Sequence, residues 1–277
     1  MPLRILTLNL WHDQGPWPAR AERIRAWLDR LDPDVVGFQE ALRGPDLDQV
    51  ATLLGDRLPH RDFTCAALLR RESGALEFGN AIASRWPIAG RTASPLSDRG
   101  DGETRAVLHC DIDAPFGRLA FSCTHLHWRL HHGEVRRRQV AEIARQIIAR
   151  RPKGGFPPVL VGDMNAEPDS DEIRFLTGGH ALDGKSVYFH DAFRVAGEGA
   201  GVTWSNRNPY ARLALEPNRR IDYVFSGYPT HQGLGHVERC RVVCDDEQDG
   251  VWPSDHFGVY AELRCEPLGG SARAAVF

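Results

Sequence analysis

The 277-residue sequence has no apolar run near the ~18 residues that a membrane-spanning helix needs. Its opening, MPLRILTLNLW, lacks the long apolar core of a secretory leader and reads directly as a strand. A soluble, cytoplasmic protein is therefore expected. None of the six cysteines (Cys65, Cys110, Cys123, Cys240, Cys244 and Cys265) forms a CxxC pair, which argues against a zinc knuckle or a redox motif. Several lie in apolar strand-like runs, where buried thiols are expected. Nor is there an excess of positive charge: Lys plus Arg is 34, Asp plus Glu is 37, and the net is -3. Strong non-specific attraction to nucleic acid is not indicated. Carboxylates clustered at a metal site would nevertheless offset a local basic face. There is no internal repeat, low-complexity linker or break in composition. With 42% hydrophobic and 26% charged residues, one domain over residues 1–265 with a loose tail at 266–277 is expected.

What is present is a succession of strand-like and helix-like segments. Residues 3–10 place apolar side chains at strand spacing. Residues 19–31 set Ile24, Trp27, Leu28 and Leu31 on one helical face, and Pro33 stops that helix. The run DVVGFQE, 34–40, is nearly continuously apolar, as in a strand covered on both faces. A second helix is expected over 46–57, on Leu47, Val50, Leu53 and Leu54. Strands are expected at 63–69, 77–84, 105–113 and 117–126, then a long helix at 133–151 with Val140, Ile143, Ala144, Ile147 and Ile148 as its stripe. The rest reads as a strand at 158–163, a short helix near 169–177, a long loop at 197–219, and strands near 220–226, 236–244 and 256–265. Two sheets flanked by helices are the simplest α/β arrangement of these pieces.

Several of these apolar strands end in polar groups, which cost free energy unless something satisfies them. In VLVGDMNAEPDS, Asp163 and Asn165 are two apart and share a face. The helix that follows has its own caps: Asp169 or Ser170, with Glu172 completing a capping box. Asp163 and Asn165 therefore remain free to act together on one object. Thr7 and Asn9 share a face at the end of the first strand, Glu40 ends DVVGFQE, and His125 ends LAFSCTH. Asp222 lies on the alternating strand RRIDYVFSG. Asp255 and His256 are adjacent, so both reach one site only if the chain turns there, and Pro253 and Ser254 supply that turn. Together these groups would build one polar floor at a sheet edge.

The pieces LTLNLW, VVGFQEA, GNAIASRWPI, THLHW, GDMNAEP, RIDYVF and SDHFGV, spread over residues 5–260, resemble the endonuclease/exonuclease/phosphatase superfamily. That superfamily includes deoxyribonucleases, AP endonucleases, neutral sphingomyelinases, inositol polyphosphate 5-phosphatases and deadenylases. The resemblance implies a four-layer α/β sandwich with two packed mixed β-sheets. It implies that Glu40 binds the catalytic divalent metal, with Asn9 beside it and Asp255 as a second acidic group near the metal. Asp163 and Asn165 would handle nucleophile and phosphate, His256 would be the site histidine oriented by Asp222, and His125 would hydrogen-bond the phosphate. Asn80 would be a further site residue. In some nucleases of the family the counterpart of His125 pairs with a glutamate, for which Glu77 is the candidate here.

An oxygen-rich set of Glu40, Asp163, Asp255, Asn9 and Asn165 suits Mg²⁺ or Mn²⁺, and no HExxH zinc motif is present. Metal-assisted in-line hydrolysis of a phosphoester is expected, with either Asp163 or His256 activating water. The substrate is expected to be a phosphorylated small molecule, a lipid headgroup or a nucleic acid. LTLNLW followed by ARAERIRAWLDRL looks more like the opening of sphingomyelinase-type members, although no membrane-inserting apolar hairpin is visible. A nuclease is the alternative: Arg136, Arg137, Arg138, Arg150 and Arg151 either form a solvated helix face or track phosphates. In the loop 202–220, Trp204 and Arg207 are candidate substrate contacts. A non-catalytic binding module would show broken site positions, and here they are filled.

Overall fold

The computed structural model describes all residues except 72–73, 151–154 and 269–277. The first half of the chain runs β1 (Leu3–Asn9), α1 (Trp17–Leu31), β2 (Val35–Gly44), β3 (Leu47–Asp48), α2 (Gln49–Leu54), β4 (His60–Arg71), β5 (Gly74–Ser84) and β6 (Ile88–Pro95). Then follow β7 (Ala106–Ala114), β8 (Gly117–His125), α3 (Gly133–Arg150), β9 (Val159–Asp163), α4 (Asp171–Leu176), β10 (Phe189–Asp191) and α5 (Ala192–Ala196). The chain continues with α6 (Pro209–Arg212), β11 (Asp222–Gly227), β12 (Val237–Val243) and β13 (Gly258–Leu263). One sheet has the order β12-β13-β1-β2-β5-β4, with β3 beside β2, and the other has the order β10-β11-β9-β8-β7-β6. Each is mixed, through the parallel pairs β1/β2 and β8/β9.

Period-two alternation explains the layers. In β1, Leu3 and Ile5 face the second sheet, while Leu6 and Leu8 face the helices. The inter-sheet core joins Ile5, Val35 and Ile82 to Phe121, Cys123, Val161 and Val224. On one outer face, Ile24, Leu28 and Leu31 of α1 and Leu53 and Leu54 of α2 cover Leu6, Leu8, Val36 and Phe38. On the other, Val140, Ile143 and Ile147 of α3 cover Leu160, Tyr223 and Phe225. This is the four-layer α/β sandwich, and double coverage is why the central strands read as continuous apolar runs.

Several local expectations are corrected. β2 does not stop at Glu40 but continues to Gly44. The helix expected over 46–57 shrinks to α2, because Leu47 pairs with Gly44 in β3. The capping box does not form: Ser170 is the N-cap without a side-chain cap bond, and Glu172 is drawn instead to the Arg136 guanidinium at 2.7 Å. The short β10 and α5, and β6 on the sheet edge, carried no clear apolar period. Of the tail, Leu268 is tied by its N–H to the Gln232 carbonyl at 2.8 Å, and residues 269–277 lie outside the described residues.

The sheets approach closely at Gly37. A Cβ there would lie 2.4 Å from Val161 Cγ2 and 3.2 Å from Cys123 Sγ. We expect Gly37→Val to overpack this contact and cost about 1–3 kcal/mol, seen as a lower midpoint in thermal or urea unfolding. An unchanged midpoint would mean the sheets are free to separate.

Candidate active site

Strand register builds the site. His125 at the end of β8 lies beside Asp163 at the end of β9, and Asp163 lies beside Asp222 at the start of β11. All three share the inter-sheet face with Cys123, Val161 and Val224. Gly162 makes the β8/β9 approach possible: its φ is +147°, and a Cβ would sit 1.9 Å from the Thr124 carbonyl oxygen. From the opposite sheet, Asn9 at the end of β1 donates through Nδ2 to Asp163 Oδ2 at 3.1 Å. Asn165 turns the chain with a φ of 47°, and its N–H donates to Asp163 Oδ1 at 2.8 Å. Its side-chain amide donates to the Leu126 carbonyl at 3.1 Å.

Glu40 reaches the same place by a different device. Strict alternation would turn it with Val36 and Phe38 toward the helices. A bulge between Phe38 and Ala41 in the β2/β5 pairing, with Glu40 at φ 53°, re-aims it to the cleft. The turn at Pro253–Ser254 brings in both Asp255 and His256, as expected. Ser254 Oγ bridges the Asn9 carbonyl (2.7 Å) and Asp255 Oδ1 (3.1 Å). His256 Nδ1 is 2.9 Å from Asp222 Oδ2, and its Nε2 is 3.7 Å from Asp163 Oδ2. Trp204 packs edge-on against the His256 ring.

These groups floor a cleft of about 760 Å³. It is lined by Glu40, His125, Asp163, Asn165, Trp204, Asp255 and His256, and walled by Trp11, Phe78 and Trp128. Four expected site residues do not line it, one of them Asp222, which lies behind the His256 ring with its Oδ2 2.9 Å from His256 Nδ1. Asn80 is buried and donates to the Ala106 carbonyl at 2.8 Å, tying β5 to β7. Arg207 lies over Trp252 and Phe257 and donates to the Asp245 carbonyl at 2.6 Å. Asn9 sits behind Asp163, with its Oδ1 accepting the Trp11 N–H at 2.9 Å. Glu77 pairs with Arg43 at 2.7 Å and does not meet His125. The partner of His125 is Arg105, whose Nη1 is 3.0 Å from His125 Nδ1. Sequence reading missed Arg105 and also Arg20. The buried Arg20 guanidinium donates to the carbonyls of Leu10, Trp11, His12, Gln14 and Pro253 and so holds the loop after β1 against the Ser254 turn.

Residues 6–256 match the model of the Endonuclease/Exonuclease/phosphatase family. The chain belongs to that family. It is thus a member of a group of phosphodiesterases, nucleases and phosphatases. A Caenorhabditis elegans protein named provisionally as a neutral sphingomyelinase is 24% identical over 94% of this chain, and the chain spans 66% of that relative, just under two thirds of its length. The crystal structure of an endonuclease/exonuclease/phosphatase from Beutenbergia cavernae is 26% identical, with TM-score 0.70, over 95% of this chain and 71% of that one. Danio rerio TDP2 complexed with a single-strand DNA product is 18% identical, with TM-score 0.72, over 95% of this chain and 99% of that one, and shares the fold.

The electrostatics of the family site are set by burial and by neighbouring charge. A guanidinium only donates, so Arg105 leaves His125 Nδ1 as acceptor and the proton on Nε2, 3.3 Å from Asp163 Oδ2. Burial, then the charge of Arg105, pushes the His125 pKa well below its usual value, so the ring is neutral. Burial works against the charged form of His256 too, but Asp222, Asp163 and Asp255 outweigh it and carry its pKa well above the usual value. His256 is therefore an imidazolium. Burial, reinforced by the Asp222 charge, raises the Asp163 pKa. Burial also raises Asp255, and the charge of Glu40 adds to it against the pull of His256.

The donors suit a hard divalent cation. Among the described residues no hydrogen bond reaches the Glu40 carboxylate; two histidine nitrogens, His125 Nδ1 and His12 Nε2, stand 4.0 Å from its oxygens. It faces a cleft shared with Asp255, whose ionisation it opposes. Two carboxylates in mutual repulsion with unfilled oxygens fit Mg²⁺ or Mn²⁺. Asp163, Asp222 and His256 also lie within 4.8 Å of one another, but there the imidazolium already supplies the positive charge.

We expect ¹⁵N-histidine NMR to show His125 as the Nε2–H tautomer, still neutral on acidification past pH ~6.5, the ordinary histidine value. Arg105→Met should raise its pKa toward that value. An Nδ1–H tautomer or ordinary titration in the wild type would contradict this geometry.

Proposed function

We propose that the protein is a divalent-metal-dependent phosphodiesterase that activates water with Asp163. The observation that carries this reading is the environment of Asp163 Oδ2, which receives Asn9 at 3.1 Å and faces the neutral His125 at 3.3 Å and the charged His256 at 3.7 Å. A histidine held as imidazolium has no lone pair for a proton, which leaves Asp163 as the base. Its raised pKa makes it a stronger base than an ordinary carboxylate. A water proton passes to Asp163 as the water oxygen attacks phosphorus, and the opposite P–O bond breaks with its electron pair going to the leaving oxygen, which departs as the alcohol after taking a proton from solvent. His125 Nε2–H, His256 and the Asn165 amide donate where negative charge grows on the phosphoryl oxygens. Asp222 holds His256 in place through Nδ1. A hard divalent cation held by Glu40 and Asp255 supplies Lewis-acid polarisation of a phosphoryl oxygen when bound.

A diester is favoured over a monoester. Each arginine lining the cleft is already paired: Arg71 with Asp13, Arg105 with Glu103 and Arg219 with Glu216. With Glu40, Asp163, Asp222 and Asp255 clustered there, a dianionic monoester meets more repulsion than a monoanionic diester. The sphingomyelinase name of the worm relative supports a diester as well. Of the α3 arginines singled out in the sequence, those described give a backbone-tracking nuclease no free charge. Arg136 is buried against Glu172, and Arg137, Arg138 and Arg150 pair with Asp171, Glu134 and Asp111. Arg151 lies outside the described residues.

The test is hydrolysis of bis-p-nitrophenyl phosphate against p-nitrophenyl phosphate with Mg²⁺, with Mn²⁺ and with chelator. The diester should be cleaved faster, and only with metal. Asp163→Asn should lower kcat on the order of 10²–10⁴-fold with the circular dichroism spectrum retained. Wild-type turnover in Asp163→Asn, or undiminished rates in chelator, would refute the assignment.

A further inference from the structure

Three of the segments that line the cleft carry exposed aliphatic side chains at or next to their lining residues. Leu68 near the end of β4 is 64% exposed, Leu130 in the loop after β8 is 52% exposed, and Leu213 and Leu215 after α6 are 80% and 91% exposed. Trp128 beside Leu130 is 44% exposed, with its indole N–H donating to Glu103 at 3.1 Å. Leu68 and Trp128 line the cleft themselves, as do Ala214 and Glu216 on either side of Leu215. Three separate segments thus converge on one opening with their apolar groups outward. Isolated exposed leucines are ordinary, but a set gathered at a site entrance marks an interaction surface.

Each of the three segments also carries an exposed arginine: Arg70, Arg129 and Arg212. Among the described residues, none of these three forms an ion pair. The Arg129 guanidinium itself lies over the Trp128 ring, its Cζ 4.8 Å from the centroid, a cation–π contact in which no carboxylate neutralises the charge. This differs from the arginines inside the cleft, which are paired. Apolar groups that enter hydrocarbon, beside cations at headgroup level, are the chemistry of attachment to an anionic lipid surface. A single-stranded nucleic acid fits less well: the four leucines offer no stacking face for bases, and one face of the nearby indole, Trp128, is taken by the Arg129 guanidinium.

We propose that this rim docks on an anionic phospholipid surface, so that the cleft opens onto headgroups and the substrate is a phospholipid headgroup diester. The substrate part rests on the phosphodiesterase reading above; the docking part does not.

Vesicle co-sedimentation tests docking directly, using the full chain with phosphatidylcholine vesicles and with vesicles containing phosphatidylserine. Wild type should bind, more strongly with phosphatidylserine, and less as salt rises. The double variant Leu213→Asp/Leu215→Asp should bind about tenfold more weakly or worse, while cleaving soluble bis-p-nitrophenyl phosphate at the wild-type rate. Arg129→Glu/Arg212→Glu should lose the phosphatidylserine preference. Equal vesicle binding by wild type and the leucine variant would overturn the proposal. So would wild type left in the supernatant, or wild type that binds a single-stranded oligonucleotide instead. Failure of the phosphodiesterase reading shows separately, as absent turnover of the soluble diester by wild type whatever the vesicles report.

Discussion

The structure depends on a row of ionisable groups that strand pairing forces together. β8, β9 and β11 are locked by their ladders, so His125, Asp163 and Asp222 stand side by side at one sheet edge. Asp163 and Asp222 are each only 1% exposed. Two such carboxylates repel, and the molecule offsets this with the positive His256 between them and with donors from Asn9 and Asn165. Breaking a buried pair by removing one partner typically costs about 3–5 kcal/mol. The fold therefore holds this cluster at some expense, as expected where function rather than stability selects the residues.

The two sheets need each other for this. One supplies Asn9, Glu40, Asp255 and His256, and the other supplies His125, Asp163 and Asp222. Gly37 lets the sheets close, Ser254 links the β1 end to Asp255, and Arg20 gathers the surrounding carbonyls. Neutral and charged histidines then face one carboxylate from different sides. Burial disfavours charge on both; beside His125 a guanidinium adds to that, whereas around His256 the carboxylates of Asp222, Asp163 and Asp255 outweigh it.

Much of this was legible in the sequence. The pairing of Asp163 with Asn165 was foreseen, although a left-handed turn at Asn165 rather than strand alternation makes it; alternation put His125 on the face of Cys123, and the Pro253–Ser254 turn delivered adjacent Asp255 and His256 to one place. The four layers were implied by the family resemblance, and the strands that read as buried on both faces fit them. What stayed hidden depended on pairing across the chain. The bulge at Glu40 is set by the β2/β5 ladder and leaves no local signature. Arg105 takes the place at His125 that Glu77 was expected to fill, because Glu77 is held across the ladder by Arg43. Glu172 left its capping role for the buried Arg136. Asn80 and Arg207 have the right chemistry, but their hydrogen bonds are spent on backbone carbonyls away from the cleft.

The central claim is that water, not a side chain, attacks phosphorus. Both histidines are unfit as nucleophiles: His256 is protonated, and His125 has Nδ1 occupied by Arg105 and the proton on Nε2. The most direct measurement is the stereochemical course at phosphorus, with a chiral phosphorothioate diester cleaved in ¹⁸O-labelled water. Inversion is expected, from a single in-line displacement on the face of Asp163. Retention would require a covalent protein intermediate and would contradict the roles assigned here to His125, Asp163 and His256.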